Sequence, residues 1–291
     1  MAQDYQIFNT DIIILGISSH SPNHIFLFSL VLGIFTVAFT ENSVMVLLIY
    51  LETQLHTPMY FLVSQLSLMD LMLICTTVPK MVFNYLSASP FLWQGVTEIF
   101  FYASLIGCEY FLLAVMAYDR YIAVCHPLRK TDLISSKICG LMTVSFWILG
   151  STDGLIDVVA TLSFSYCGFK EIANFCDFPS MLIISCNDTS TFEEVIFYCC
   201  IIMIVFPVAI IIASYACYSV CHLHGFWRGY PQTFASCSSH LMMVIMYYGG
   251  NLFIYMLSTS DCSPTQHKIV SVFYTILTPM LNPVIYSLCN E

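Results

Sequence analysis

Apolar residues along this chain gather into long runs separated by short polar breaks, and seven of the runs are long enough to cross a lipid bilayer. The hydrocarbon core is about 30 Å thick and takes about 20 residues of helix, because in lipid each backbone amide must be satisfied within its own segment. The runs are Ile25 to Tyr50, Met59 to Leu86, Val96 to Val124, Ile138 to Leu162, Val195 to Val220, Phe234 to Leu257 and Ile269 to Leu288. The fifth, sixth and seventh contain no Asp, Glu, Lys or Arg. The pattern predicts an all-α membrane protein, a seven-transmembrane-helix bundle spanning residues 25–288. A segment of residues 1–24 precedes it, a long loop at about 163–194 joins helices four and five, and a tail of 289–291 is left. No sequence repeat relates the two halves.

Composition agrees with a lipid-embedded chain: 58% of residues are hydrophobic and 9% charged, against about a quarter charged in soluble domains. A net charge of −10 with eight Lys plus Arg offers no surface for tracking phosphates, which excludes nucleic acid as a partner. Most of the 14 cysteines, Cys75, Cys139, Cys199, Cys200 and Cys217 among them, lie inside apolar runs and read as small buried thiols. Cys167, Cys176 and Cys186 stand in a polar stretch that suits an oxidising, extracytoplasmic loop. The first basic residue is Lys80, so no charged signal-peptide head is present and the first span is expected to act as its own signal.

Basic residues favour the cytoplasmic side of short loops. Arg120, Arg129, Lys130 and Lys137 cluster between helices three and four. Setting that loop inside carries Arg228 inside with it and leaves Lys80, Lys170 and Lys268 towards the outer face. With an odd number of spans, the N-terminus is then extracellular and the C-terminus cytoplasmic.

A charge at the bilayer centre costs about 2.5 kcal/mol or more, so carboxyls inside the spans ask for an explanation. Asp70 in helix two and Glu109 in helix three fall at comparable depth if the two helices run antiparallel. They read either as a sodium-like ion site or as a protonated, hydrogen-bonded pair. Asp153 and Asp157, spaced i, i+4, share a face of helix four and read as a water-facing stripe near the loop. Asp119 and Arg120 close helix three, where an arginine readily snorkels to the interface. The spacing of Cys217, Cys221, His222 and His224 is too irregular for a zinc site.

Five strings together carry a family resemblance. LHTPMYFLVSQLSLMD (Leu55 to Asp70) resembles the second-helix signature of vertebrate olfactory receptors, and MAYDRYIAVCHPL (Met116 to Leu128) is similar to the same family's end of helix three. SYACYSV (Ser214 to Val220), FASCSSHL (Phe234 to Leu241) and PMLNPVIYSL (Pro279 to Leu288) continue the match in family order. The wording LSLMDLMLICTTVPK resembles the mammalian class II receptors. The resemblance implies a rhodopsin-like G-protein-coupled receptor of the plasma membrane, not an enzyme. Such a receptor binds a small volatile odorant from outside and activates a stimulatory, olfactory-type heterotrimeric G protein inside.

The resemblance also implies roles. Asp119 holds Arg120 at rest, with Tyr121 beside them. Tyr215 and His240 line the inner half of the bundle, and Asn282, Pro283 and Tyr286 form the switch segment of helix seven. Outer-half positions on inward faces supply the odorant wall: Tyr102, Ile106 and Gly107 from helix three, Cys199 and Met203 from helix five, Tyr248, Asn251 and Tyr255 from helix six, and Thr275 from helix seven. Cys167 is expected to pair with Cys186, as in the family's second extracellular loop.

Some positions depart from the family pattern. Gly95 stands where the family's helix-three cysteine belongs, which orphans Cys176, and Glu41 replaces a glycine before Asn42 in helix one. Only Arg228 remains of the basic residues expected before helix six, and the segment after Tyr286 is short. These departures keep a second reading open, a receptor of this fold that is poorly trafficked or does not signal. A transporter or channel is a third reading, though its usual paired repeats are missing. Asn187 begins the one N-x-S/T glycosylation match, beside Cys186.

Overall fold

The computed structural model describes residues 24–86, 92–163, 190–223, 237–238, 240–250 and 275–285, and among these every regular element is helical. Helix one is His24–Leu51, helix two Pro58–Leu86, helix three Leu92–Cys125 and helix four Ser136–Ser163. Helix five runs through Ser190–Cys200, a π-helical segment Ile201–Val205 and Phe206–Leu223. These five are long and apolar enough to cross a membrane. Residues 240–250 and Thr275–Ile285 are the described parts of the sixth and seventh runs.

The helices outrun the apolar stretches that predict them. Helix three begins at Leu92 rather than Val96, helix four at Ser136 rather than Ile138, and helix five at Ser190 rather than Val195. Hydropathy marks where lipid ends, whereas backbone hydrogen bonding continues into the interface, where polar side chains are welcome. Chain ends are set by local chemistry instead. Pro58 opens helix two at a first-turn position that needs no N–H, after a 3₁₀ turn at Thr53–Leu55. Helix three stops at Cys125, and Pro127 begins a second 3₁₀ turn that leads into the one-turn helix Lys130–Leu133.

Two prolines interrupt the ladders from inside. In helix five the N–H of Phe206 returns to the carbonyl of Ile201, five residues back, just before Pro207. This wide turn absorbs the ladder position that Pro207 cannot fill. In helix seven Pro283 cannot donate to the carbonyl of Pro279, and that carbonyl instead accepts from Asn42 Nδ2 of helix one at 2.7 Å. Hydroxyls within the spans are satisfied locally: Thr36, Thr77, Thr152 and Thr161 each donate to the carbonyl four residues back, which keeps them compatible with lipid.

Helix three is the axis of the described bundle. Two-thirds of its apolar window (67%) is buried, against 17% for helix one and 22% for helices four and five. Its Leu105, Cys108, Leu112 and Met116 interlock with Leu62, Leu66, Met69 and Leu73 of helix two. Large apolar side chains face outward on the other helices, including Leu47, Leu48, Leu141, Ile148, Phe206 and Ile212. Such a continuous apolar coat is compatible with a lipid surround.

Helices three and four meet through glycine. A Cβ on Gly150 would strike the Ser104 carbonyl and the Cys108 thiol, and one on Gly154 would strike Ser104 Oγ and the Phe100 carbonyl. Gly150 and Gly154 are one turn apart, the small-xxx-small spacing that lets two membrane helices approach closely.

Candidate functional site

One small cavity lies between helices two, three, six and seven. Its lining includes Tyr102, Ile106 and Glu109 of helix three, Asp70 and Leu73 of helix two, Tyr247 and Gly250 of helix six, and Thr275, Thr278 and Pro279 of helix seven. Tyr102, Ile106 and Glu109 follow an i, i+4, i+7 stripe, and so one helical face presents all three. The candidate odorant positions Tyr102, Ile106 and Thr275 therefore share a space with the candidate ion or proton pair Asp70 and Glu109.

Both carboxyls at this cavity are fully buried. Asp70 Oδ2 accepts from Asn282 Nδ2 at 2.6 Å, while Asp70 Oδ1 and both oxygens of Glu109 accept no hydrogen bond of good geometry among the described residues. The Tyr247 hydroxyl faces Glu109, and the two carboxyls are close enough to interact. These carboxyl oxygens thus share a space whose wall carries the hydroxyl-bearing Tyr102, Tyr247, Thr275 and Thr278 beside the apolar Leu73, Ile106 and Pro279. Buried acceptors are costly unless a donor, a proton or a cation meets them, and Tyr247 and Asn282 are the donors that face this pair.

Other odorant-wall candidates lie elsewhere. Gly107 follows Ile106 and is rotated about 100° from it on a 3.6-residue helix. It faces Gly150 of helix four and the Met203 side chain of helix five, so Gly107 and Met203 pack against each other rather than line this cavity. The Cys199 thiol faces the carboxyl of Asp153. That carboxyl lies 3.8 Å from the position a Gly107 Cβ would take, and Asp153 is accordingly part of a contact between helices three, four and five, not a water-facing stripe. Tyr248 stacks on Tyr110 at 4.6 Å between ring centroids and donates to the Tyr110 carbonyl at 3.2 Å. Its neighbour Tyr247 enters the cavity in its place. Asn251 and Tyr255 lie outside the described residues, as do Tyr286, Cys167 and Cys186.

At the other end of helix three a second cluster forms. Asp119 is 1% exposed, and Lys130 Nζ bridges its carboxyl at 3.3 Å from each oxygen. The Tyr215 hydroxyl is hydrogen-bonded to His240 Nδ1 at 2.7 Å, and His240 is fully buried. The charge of Arg120 acts on Tyr215, Cys237 and His240, so one cation stands where helices three, five and six converge. The Tyr121 hydroxyl lies 3.3 Å from His126 Nε2.

Known proteins share this chain over nearly its whole length. The family model described as olfactory receptor matches residues 28–290. Olfactory receptor 2M2 of Homo sapiens is 70% identical over 295 residues, covering 100% of this chain and 85% of that protein. Olfactory receptor 2M3 of Homo sapiens is 69% identical over 295 residues, covering 100% and 95%. Olfactory receptor 2V1 of Mus musculus is 47% identical over 285 residues, covering 96% and 90%. This chain belongs to the olfactory receptor family. It is a multi-pass plasma-membrane receptor and not an enzyme, and the described helices are the first five spans and parts of the last two in the family's seven-helix bundle.

Several residues at this olfactory receptor's two clusters escaped the sequence reading. Thr278 was legible in principle, since Thr275, Thr278 and Asn282 fall on one helical face at i, i+3, i+7. Lys130 appeared only as a marker of topology, because nothing in the spacing of Asp119 and Lys130 reveals that the chain turns back at Pro127. Tyr247 and Tyr248 are adjacent tyrosines, and choosing between them requires the rotation of helix six, which apolar pattern alone leaves open when both faces are apolar.

Proposed function

We propose that this receptor binds a small, largely apolar volatile ligand in the cavity bounded by Tyr102, Ile106 and Thr275, and that the bound state favours coupling to a stimulatory, olfactory-type G protein. The observation that carries the reading is the reach of helix three. Its one stripe lines the cavity, and its end carries Asp119, Arg120 and Tyr121 beside Tyr215 and His240. A ligand that contacts one arrangement of the helices better than another shifts the population by that difference. In this reading the N-terminus is extracellular and the C-terminus cytoplasmic, the cluster at Arg120 faces the G protein, and Asn282, Pro283 and Tyr286 form the bend of helix seven. Cys199, Met203, Gly107 and Tyr248 set the position of helices five and six around the ligand, Asn251 and Tyr255 extend its wall, and Cys167 pairs with Cys186 in the outer loop.

Asp70 and Glu109 fit a sodium ion or a shared proton, because two fully buried carboxyls close enough to interact line one cavity. Either occupant would neutralise the pair and hold helices two and three to helix seven through Asn282.

The test is expression with the G protein and a cyclic AMP reporter, followed by a broad odorant panel. Arg120→Ala is expected to abolish the response at unchanged surface amount. Silence of the natural sequence across the panel despite confirmed surface display overturns the receptor reading in favour of a non-signalling protein of the same fold. An undiminished response from Arg120→Ala overturns the coupling role of that residue.

A further inference from the structure

We propose that Glu98 of helix three is a charge filter at the outer end of the ligand's route, so that this receptor turns away carboxylates and admits neutral odorants of the same skeleton. The inference rests on the receptor reading above and adds the charge class of its ligand.

Helical spacing places the residue. Glu98 precedes Tyr102 by four positions and Ile106 by eight, so it continues the stripe by which helix three lines the cavity, one turn and about 6 Å farther along the helix. Its side chain is 7% exposed and is therefore held within the bundle. Glu98 is also the third residue of the Val96–Cys125 span, near the interface, where a carboxylate keeps its charge at far less cost than at the bilayer centre. A fixed charge beside a narrow route, walled by material of low dielectric, repels an approaching ion of like sign more strongly than it would in open water. A protein partner of Glu98 does not remove this effect. The outer side in the proposed orientation carries three lysines, Lys80, Lys170 and Lys268, against Glu171, Asp177, Asp188, Glu193, Glu194 and Asp261 as well as Glu98. The balance at this end is negative whichever acid each lysine meets. The arginines of helix three and of the turn after it, Arg120 and Arg129, lie at the opposite end.

Full-length receptor displayed on intact cells is given a thiol one turn below Glu98 by Tyr102→Cys. Its reaction with two methanethiosulfonates of similar size, one ending in trimethylammonium and one in sulfonate, is timed against the unsubstituted receptor. The readout is the ratio of the two rates, from which any change in thiol ionisation cancels. A unit charge about 6 Å away shifts each rate about threefold in water, in opposite directions, and by more in a drier site. Glu98→Gln is therefore expected to lower the cation-to-anion ratio about tenfold, while Glu98→Asp, which keeps the charge, leaves it within about twofold. With Glu98 in place, raising the ionic strength lowers the same ratio through screening, a measurement that needs no Glu98 variant. A Glu98 that served packing alone would change both rates together. A ratio unchanged by Glu98→Gln, or unchanged by salt, overturns the filter, and so does a Tyr102→Cys thiol that neither reagent reaches. In the reporter assay, hexanoate as effective as 1-hexanol sinks the filter alone, whereas silence towards every odorant beside an intact labelling ratio sinks the receptor reading alone.

Discussion

At the scale of single residues, the bundle is held by side chains that repair backbone defects. Pro283 removes the N–H that the Pro279 carbonyl needs, and Asn42 Nδ2 replaces it at 2.7 Å while also donating to the Ala38 carbonyl at 2.9 Å. Asn42 is fully buried, so no water can substitute for it. Asn42→Leu keeps the volume near constant and leaves the Pro279 carbonyl without that donor, a loss of about 1–3 kcal/mol. The expected result is a lower unfolding midpoint in nanodiscs and less receptor at the cell surface; an unchanged midpoint in Asn42→Leu contradicts the repair. Asn282 instead joins side chain to side chain, tying helix seven to the Asp70 carboxyl of helix two at 2.6 Å. Asn282 sits in the PMLNPVIYSL string and Asn42 beside the departure at Glu41, yet their partners were not legible, because a hydrogen bond across 237 positions depends on helix rotation and depth.

At the scale of elements, apolar run length was sufficient to locate helices one to five, since lipid imposes one rule on the whole span. It was insufficient for what happens inside a span. The π-helical turn before Pro207 leaves the hydropathy of helix five intact, and nothing in the run of Ile, Met and Val from Ile201 to Val205 marks it. The turn matters for position, because Met203 lies within it and reaches Gly107 of helix three. The glycine contact between helices three and four falls at GSTDG, residues 150–154, a spacing that permits close approach but does not name the partner helix. Both ends of that contact meet backbone carbonyls of helix three, at Ser104 and Phe100, which cannot swing aside as a long side chain does. Gly154→Val is therefore expected to push helix four outward and to reduce surface expression severely, by the roughly 1–3 kcal/mol typical of overpacking or more. Gly140→Val, at a helix-four glycine with nothing within 4 Å of its Cβ position, is the matched control and should express normally. Equal expression of the two variants removes the special status of the glycine pair.

At the scale of the whole molecule, helix three runs from the cavity to a charged end, and in the proposed coupling the balance between resting and active bundles is set partly by which cation holds Asp119. Its carboxyl has two nearby claimants, Lys130 from the short helix after the turn and the adjacent Arg120, and the structure pairs it with Lys130 at 3.3 Å from each oxygen. Asp119 is 1% exposed, whereas the Lys130 side chain is 31% exposed, so the acid cannot turn to water when its partner is lost but the lysine can. Removing the amine in Lys130→Ala leaves Arg120 as the remaining claimant. The resting hold on Arg120 then tightens, and more ligand is needed to release it. A partly exposed ion pair is worth about 0.2–1 kcal/mol, which corresponds to a rise in the half-maximal odorant concentration of up to about fivefold and a lower basal cyclic AMP level. Asp119→Asn removes the carboxylate from both claimants and should move the basal level the opposite way. Concentration–response curves for the three receptors at matched surface amount decide the matter. A Lys130→Ala curve that coincides with the natural one, or lies to its left, means that Lys130 only decorates the turn and that Asp119 answers to Arg120 alone.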